Sequence, residues 1–139
     1  MRRGRTDAGQ ALVEFSLTIV IFMILVLGVF DVGRVVWNYN TLASAAREGT
    51  RYAIVHGSAS SAPSGPAAND ASVQAAVAKY ASGLNSGNLT TTSTWLDGSN
   101  APGTRVKVTA TYRFNSIFSS LLGIGPFTMT SSSTMSITN

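Results

Sequence analysis

The feature that most constrains this chain is an apolar run close to its N-terminus. Residues 11–30 read ALVEFSLTIVIFMILVLGVF, and Glu14 is the only charged residue among them. At about 1.5 Å of rise per residue, a helix of this length spans the roughly 30 Å hydrocarbon core of a bilayer. The run predicts a transmembrane helix, which leaves the rest of a 139-residue chain for one small domain.

The residues before the apolar run predict its orientation. Arg2, Arg3 and Arg5 precede it, and the cytoplasmic flanks of membrane segments carry the excess of Lys and Arg. We therefore expect a single pass with the N-terminus inside and everything after Asp31 outside. The run is longer than the about 7–15 apolar residues of a secretory signal peptide and does not end in a small-residue cleavage pattern, so we expect it to be retained.

The carboxylate of Glu14 is the next constraint. An ionised side chain within hydrocarbon costs several kcal/mol, and such residues are usually paired and functional. One interpretation is that Glu14, only four positions after Gln10, reaches the cytoplasmic headgroups. The other is that it has a specific partner.

The residues around Glu14 resemble the processing site of type IV pilin-like proteins. In those proteins a prepilin peptidase cuts on the cytoplasmic side after a glycine and leaves a glutamate as the fifth residue of the mature chain. The resemblance places the cut between Gly9 and Gln10 and makes Glu14 that fifth residue. Phe15 is similar to the aromatic residue that follows the glutamate in the Flp/Tad branch. A glycine and a glutamate at this spacing are a weak signal alone, but a specific one between a basic stretch and a membrane-length helix.

A second block of residues narrows the family. Asp31, Gly33 and Arg34 directly follow the apolar run. The block continues with Arg47, Glu48, Gly49, Arg51 and Tyr52. Over roughly residues 9–53 the chain resembles TadE-like proteins, the minor pseudopilins of tight-adherence (Flp/Tad, type IVc) pilus systems. TadE-, TadF- and TadG-type proteins share this region, so the resemblance does not distinguish among them.

The resemblance implies a role in pilus assembly. A basic leader, residues 1–9, would be removed by prepilin peptidase, and the long helix, residues 10–56, would join or initiate a fibre from the bacterial cytoplasmic membrane. The implied partners are the membrane, prepilin peptidase, other pilins or pseudopilins, and the Tad inner-membrane assembly proteins. The alternative left open is an uncleaved single-pass surface protein whose exported domain binds a ligand.

Apolar residues continue beyond the membrane segment at three- and four-residue steps, which is typical of an amphipathic helix. They are Val32, Val35, Val36, Tyr39, Leu42, Ala43, Ala46 and Ala53. The pattern predicts one helix over about residues 11–55 that carries a small domain on this stripe. Gly28, Gly33 and Gly49 lie within it, and either the packed helix tolerates them or they permit a bend or a close helix contact.

The residues that follow predict a loop and a shorter helix. Residues 57–69 are rich in Ser, Ala, Gly and Pro, with too little apolar bulk to pack, so we expect a flexible surface loop. Asn69 or Asp70 would cap a helix that Gly83 stops. Its predicted buried face carries Val73, Val77 and Tyr80.

The last third of the chain changes to a period of two, which is typical of half-buried strands. Strands are predicted over residues 88–96, 104–114 and 127–138, with a short helical turn within 115–122. The buried faces would carry Val106, Val108, Ala110, Tyr112 and Phe114 in the second strand and Phe127, Met129, Met135 and Ile137 in the third. The expected fold class is α+β: a long N-terminal helix, transmembrane in its lower half, and a pilin-like head (residues 70–139) with one short helix and a three-stranded antiparallel sheet.

Two pairs of opposite charge lie three positions apart, Asp31 with Arg34 and Glu48 with Arg51. At this spacing side chains can meet on a helix surface. The pairs fit either a solvated helix face or, from the resemblance, contacts between subunits. Arg34 and Trp37 also suit the outer membrane interface, where basic and aromatic residues anchor.

The sequence offers no catalytic constellation. His56 is the only histidine, there is no cysteine, and the acids of the exported part are scattered. We expect neither an enzyme, nor a cofactor, nor a metal site. The net charge of +4 depends largely on the arginines before the helix, which we interpret as topology signals rather than a nucleic-acid patch.

Overall fold

A computed structural model describes residues 4–121, 123 and 125–139, and its first element is one continuous helix. Helix α1 spans Gly4–Val55, 52 residues in all. The predicted single helix is confirmed, and it ends where the sequence indicated but begins earlier. Among the described residues it is the one helix long and apolar enough to cross a membrane, and the rest of the chain leaves its most apolar stretch uncovered. Arg2 and Arg3 lie outside the described residues.

The upper part of α1 is covered by the rest of the chain. Its buried residues include Leu42, Ala45, Ala46, Thr50 and Ala53. The predicted stripe is therefore correct from Leu42 upward. It is wrong for Val32, Val36 and Tyr39, whose side chains stay exposed, because the head packs mainly on the upper turns of α1.

Helix α2, Ala71–Tyr80, packs on this upper part. Its N-cap is Asp70, whose carboxylate accepts hydrogen bonds from the backbone N–H groups of Ser72 at 2.9 Å and Val73 at 3.2 Å. Val73 and Val77 are buried as predicted. Tyr80 is 47% exposed, so its predicted place on the buried face is wrong, and Ala81 is buried instead.

Of Gly28, Gly33 and Gly49, only Gly49 is explained by a close approach of α1 and α2. A Cβ at Gly49 would lie 2.3 Å from Cγ2 of Val77, so only glycine fits there without a shift. At Gly28 and Gly33 a Cβ would have no neighbour within 4 Å. Gly49 is thus a contact between α1 and α2, whereas the other two face open space.

The sheet has the order β1-β2-β3 and is antiparallel throughout. A short 3-10 turn, Ser86–Asn88, leads into β1 (Leu89–Trp95), and the other strands are β2 (Arg105–Phe114) and β3 (Phe127–Ser136). The predicted buried face of β2 is confirmed at all its positions, Val106, Val108, Ala110, Tyr112 and Phe114. These residues form the core with α1 and α2.

Strand β3 follows the predicted phase, but its burial is uneven. Met129 is buried, Met135 is half-buried, and Ile137 is buried just past the end of the strand. Phe127 pairs with Phe114 at the end of the sheet and is 41% exposed. At the other end the N–H of Thr138 donates to the carbonyl of Ile54 at 3.1 Å, so the last residues of the chain reach the top of α1.

The predicted helical turn is present as α3, Ile117–Leu121. It lies between β2 and β3, on the side of the head nearest the apolar part of α1. The last residue of the predicted turn, Leu122, lies outside the described residues.

Candidate functional site

The predicted cleavage residues lie on an exposed part of α1. Gly9 and Gln10 are both helical and exposed, and a Cβ at Gly9 would meet nothing within 4 Å. A peptidase that binds its substrate extended must unwind this turn. Gly4 and Gly9 make that easier, because glycine destabilises a helix by up to about 1 kcal/mol relative to alanine.

The lower part of α1, residues 8–30, presents apolar side chains on all its sides. Its large side chains from Leu12 to Phe30 are mostly exposed. The hydroxyls within it are satisfied inside the helix, since Ser16 donates to the carbonyl of Leu12 at 2.7 Å and Thr18 to that of Glu14 at 2.9 Å. This surface fits lipid or the helices of other subunits.

Glu14 and Phe15 belong to this exposed surface. Within the described part of the chain, no hydrogen bond or ion pair reaches the Glu14 carboxylate. The partner that a carboxylate requires in an apolar environment must therefore come from outside the described residues.

The lower part of α1 joins the head at Asp31, which is only 6% exposed. Its Oδ2 accepts hydrogen bonds from the Ser116 hydroxyl at 2.6 Å and from the Phe118 N–H at 2.7 Å. These two bonds, the Ser116 bond foremost, lower the pKa of the Asp31 carboxyl. We call this contact the junction; it fixes α3 to α1 at the end of the apolar run.

Arg34 completes the junction. Its Nη1 donates to Oδ1 of Asp31 at 3.1 Å, which confirms the predicted pair. Its Cζ also lies 5.1 Å from the centre of the Phe114 ring, within cation–π range. Asp31 and Arg34 thus connect α1 to both α3 and β2.

The other motif residues are divided between packing and surface. Gly49 makes the α1–α2 contact, and Tyr52 stacks on His56 with ring centroids 4.0 Å apart. The exposed Arg47 donates to the carbonyl of Ala43 at 3.2 Å. In the described part of the chain the second predicted charge pair, Glu48 with Arg51, forms no ion pair.

Glu48 and Arg51 instead line an open groove of about 750 Å³ between α1 and α2. Its other walls include Tyr52, His56 and Lys79. Among the residues that the structure describes, no cluster of three or more His, Cys, Asp or Glu side chains is placed to hold a metal ion. Gly33 is exposed on α1 and contacts nothing that explains its presence.

The sequence did not indicate Ser116 or Phe118 as partners of Asp31. The sequence does contain one signal for a role of Ser116, because Ser116 directly precedes a short apolar run, the position of a helix N-cap residue. Its Oγ accepts from the N–H of Ser119 at 3.0 Å while donating to Asp31. The cap and the junction therefore share one hydroxyl.

These features define a class of protein: an α+β head fixed at one end of a helix that is long enough to span a membrane. The sequence profile of TadE-like proteins matches residues 9–51. The resemblance to that family is confirmed over these residues, and the family suggests involvement in Tad pilus systems. The search of curated proteins and the search of solved structures each found no match.

Proposed function

We propose that the protein is a minor pseudopilin that takes part in assembly of a tight-adherence (Flp/Tad, type IVc) pilus. The strongest support for this proposal is that the family match and the uncovered apolar run occupy the same part of α1. The residues that match TadE-like proteins, 9–51, include the apolar run of α1, residues 11–30, which the rest of the chain leaves uncovered. That run begins at Ala11, one residue after the bond between Gly9 and Gln10 at which the processing motif places the cut.

In this proposal the chain is the substrate of an enzyme and has no catalytic role of its own. It inserts with its basic N-terminus in the cytoplasm, and prepilin peptidase cuts between Gly9 and Gln10. The cut removes Arg2, Arg3 and Arg5, the charges that hold the N-terminus at the cytoplasmic surface. The helix can then leave the bilayer if other pilin helices bury its apolar surface.

Glu14 guides the entry of the helix into the assembly. After cleavage the amine of Gln10 on a neighbouring subunit is a positive group at the same level of the assembly. Pairing the two converts a costly lone charge into a satisfied one and sets the axial register. The junction at Asp31 keeps the head fixed to α1 while the helix moves.

Intact mass spectrometry tests the processing step. The full chain is expressed with and without its cognate prepilin peptidase, alongside Gly9→Leu and the control Gly28→Leu. Both glycines are helical and a Cβ at either meets nothing within 4 Å, so neither change should disturb the fold. We expect the wild-type chain and Gly28→Leu to lose residues 1–9 only with the peptidase, and Gly9→Leu to stay intact. A full-length wild-type chain in both strains would contradict the proposal and favour the uncleaved single-pass surface protein.

A further inference from the structure

We propose that α3, together with Phe127, is a second membrane contact, which lies in the interface of the outer leaflet and seats a phospholipid acyl chain against α1. This inference rests on the proposed membrane insertion of α1. Beyond membrane insertion, the inference defines the height of the head above the bilayer and adds a lipid-binding groove.

The groove has a volume of about 660 Å³. One wall is the apolar run of α1, with Ile24, Leu25 and Val29, and the other carries Phe118 and Phe127. The polar residues that line it, Asp31 and Ser116, are hydrogen-bonded to each other. The groove therefore offers apolar surface and few free polar groups, which suits an acyl chain.

The position of the groove along α1 favours lipid over a soluble ligand. Ile24 lies seven positions before Asp31, which is about 10 Å along the helix axis. If residues 11–30 span the bilayer, the lower part of the groove lies within the hydrocarbon of the outer leaflet. A water-soluble ligand would have to enter lipid to reach it, whereas acyl chains are already there.

The part of the head that faces this level carries no charge and exposes two large apolar side chains. Ile117 is 49% exposed and Phe127 is 41% exposed, and residues 114–139 contain no Asp, Glu, Lys or Arg. Burial of such apolar side chains among the acyl chains at a membrane interface is energetically favourable.

Basic and aromatic side chains border the same region. The half-exposed Arg34 and the exposed Trp37 lie just above the apolar run, and Arg113, beside Phe114 at the end of β2, is exposed. Arg and Trp at this height are typical of the membrane–water interface. The guanidinium groups would meet the lipid phosphates while Ile117 and Phe127 enter the layer below.

Because the chain contains no cysteine, single spin labels can report the depth of chosen sites. The full-length protein is reconstituted in phosphatidylethanolamine–phosphatidylglycerol vesicles with Ile117→Cys, the sheet control Thr134→Cys, or the helix control Val20→Cys, which lies outside the groove. All three side chains are exposed, so a label should not disturb packing. We expect the Ile117 label about 5–10 Å below the headgroups, shielded from a water-soluble nickel complex, and the Thr134 label fully accessible to it.

The controls separate this inference from the proposed function. An Ile117 label as accessible as the Thr134 label, with a shielded Val20 label, would overturn the interfacial contact and leave the anchor intact. An accessible Val20 label would show that α1 does not span the bilayer, and both proposals would fail.

A second measurement addresses the acyl chain itself. Phe118→Trp in a Trp37→Phe background places a fluorophore in the groove, while the buried Trp95 remains as an internal reference. We expect phospholipids brominated on their acyl chains to quench the added signal and to spare that of the Trp37→Phe parent. Absence of quenching would overturn the acyl-chain assignment. Quenching that disappears as the protein-to-lipid ratio rises would also overturn it, and would indicate that a second copy of the chain covers the groove.

Discussion

The lower and upper parts of α1 belong to one uninterrupted helix, yet their apolar residues have opposite environments. Leu17 is 64% exposed and Leu42 is fully buried. The upper part is covered by α2 and the sheet, so its apolar residues stabilise the head. The lower part has no such cover within the described chain, so its apolar residues are available for lipid and for other subunits. Hydrophobicity alone does not distinguish the two roles; the presence of a packing partner does.

The largest contrast should come from truncating one leucine in each part. We expect Leu42→Ala to destabilise the head by about 2–5 kcal/mol, because it leaves a cavity in the core. Leu17→Ala should change the free energy of unfolding by less than about 0.5 kcal/mol. Denaturant unfolding of the full chain in detergent, followed by circular dichroism, measures both. Equal effects of the two changes would remove the distinction between the two parts.

Adding bulk to glycines should sharpen the same contrast. Gly49→Leu forces α1 and α2 apart, since even a Cβ there would lie 2.3 Å from Val77, and overpacking typically costs about 1–3 kcal/mol. Gly33→Leu meets open space within the chain and should not destabilise it. Thermal unfolding of both variants gives the comparison, and a stable Gly49→Leu head would show that α2 can shift without cost.

The junction between the two parts should be weaker than the core. Ser116→Ala removes both the bond to Asp31 at 2.6 Å and the cap of the Ser119 N–H at 3.0 Å. It leaves the bonds from Phe118 and Arg34 to Asp31, so we expect a loss of about 1–2 kcal/mol. Ser120→Ala, a change of the same kind on an exposed turn of α3, serves as the control. Hydrogen exchange of the α3 amides should quicken for Ser116→Ala alone; equal exchange in the two variants would mean that the junction does not hold α3.

The smallest expected effect is on the pH dependence of the head. Burial raises the pKa of Asp70, but the hydrogen bonds from Ser72, Gly65 and Val73 outweigh it and lower the pKa below its usual 3.8. The stability that this lowering contributes is complete above pH 3.8 and is lost as the pH falls from there through the pKa of the folded state. Asp70→Asn keeps the cap through its amide oxygen, but its amide nitrogen cannot accept from the Gly65 N–H. The variant should therefore be less stable than the wild type at neutral pH and should lose less further stability as the pH falls below 3.8. Superimposable acid transitions would contradict this account.

Local patterns were enough to predict most of the head and the course of α1. The alternation from Val106 to Phe114 identified the central strand and its buried face, and the three-residue spacing of Asp31 and Arg34 predicted their contact. In each case the interacting positions are neighbours in the sequence or belong to one regular element.

The residues that the sequence did not identify, left open or placed wrongly depend on contacts between distant parts of the chain. Ser116 and Asp31 are 85 positions apart, and no local spacing relates them. Tyr80 and Tyr39 matched a helical stripe, but the rest of the described chain leaves about half of each side chain uncovered. Gly49 was recognised as significant in sequence, but its neighbour Val77 belongs to another helix, so the close contact stayed one of two interpretations.

The central claim is that the lower part of α1 is a surface for other pilin helices. Ile21→Cys places a single thiol on that surface, in a chain without cysteine. In cells with the complete pilus system, a thiol-linked photocrosslinker that inserts into C–H bonds should yield, at this site, a product that contains another pilin or pseudopilin of the same system. The product should require prepilin peptidase and should fall strongly with Glu14→Gln. A chain that crosslinks to no pilin, with the peptidase present and residues 1–9 removed, would contradict the claim and leave α1 as a membrane anchor.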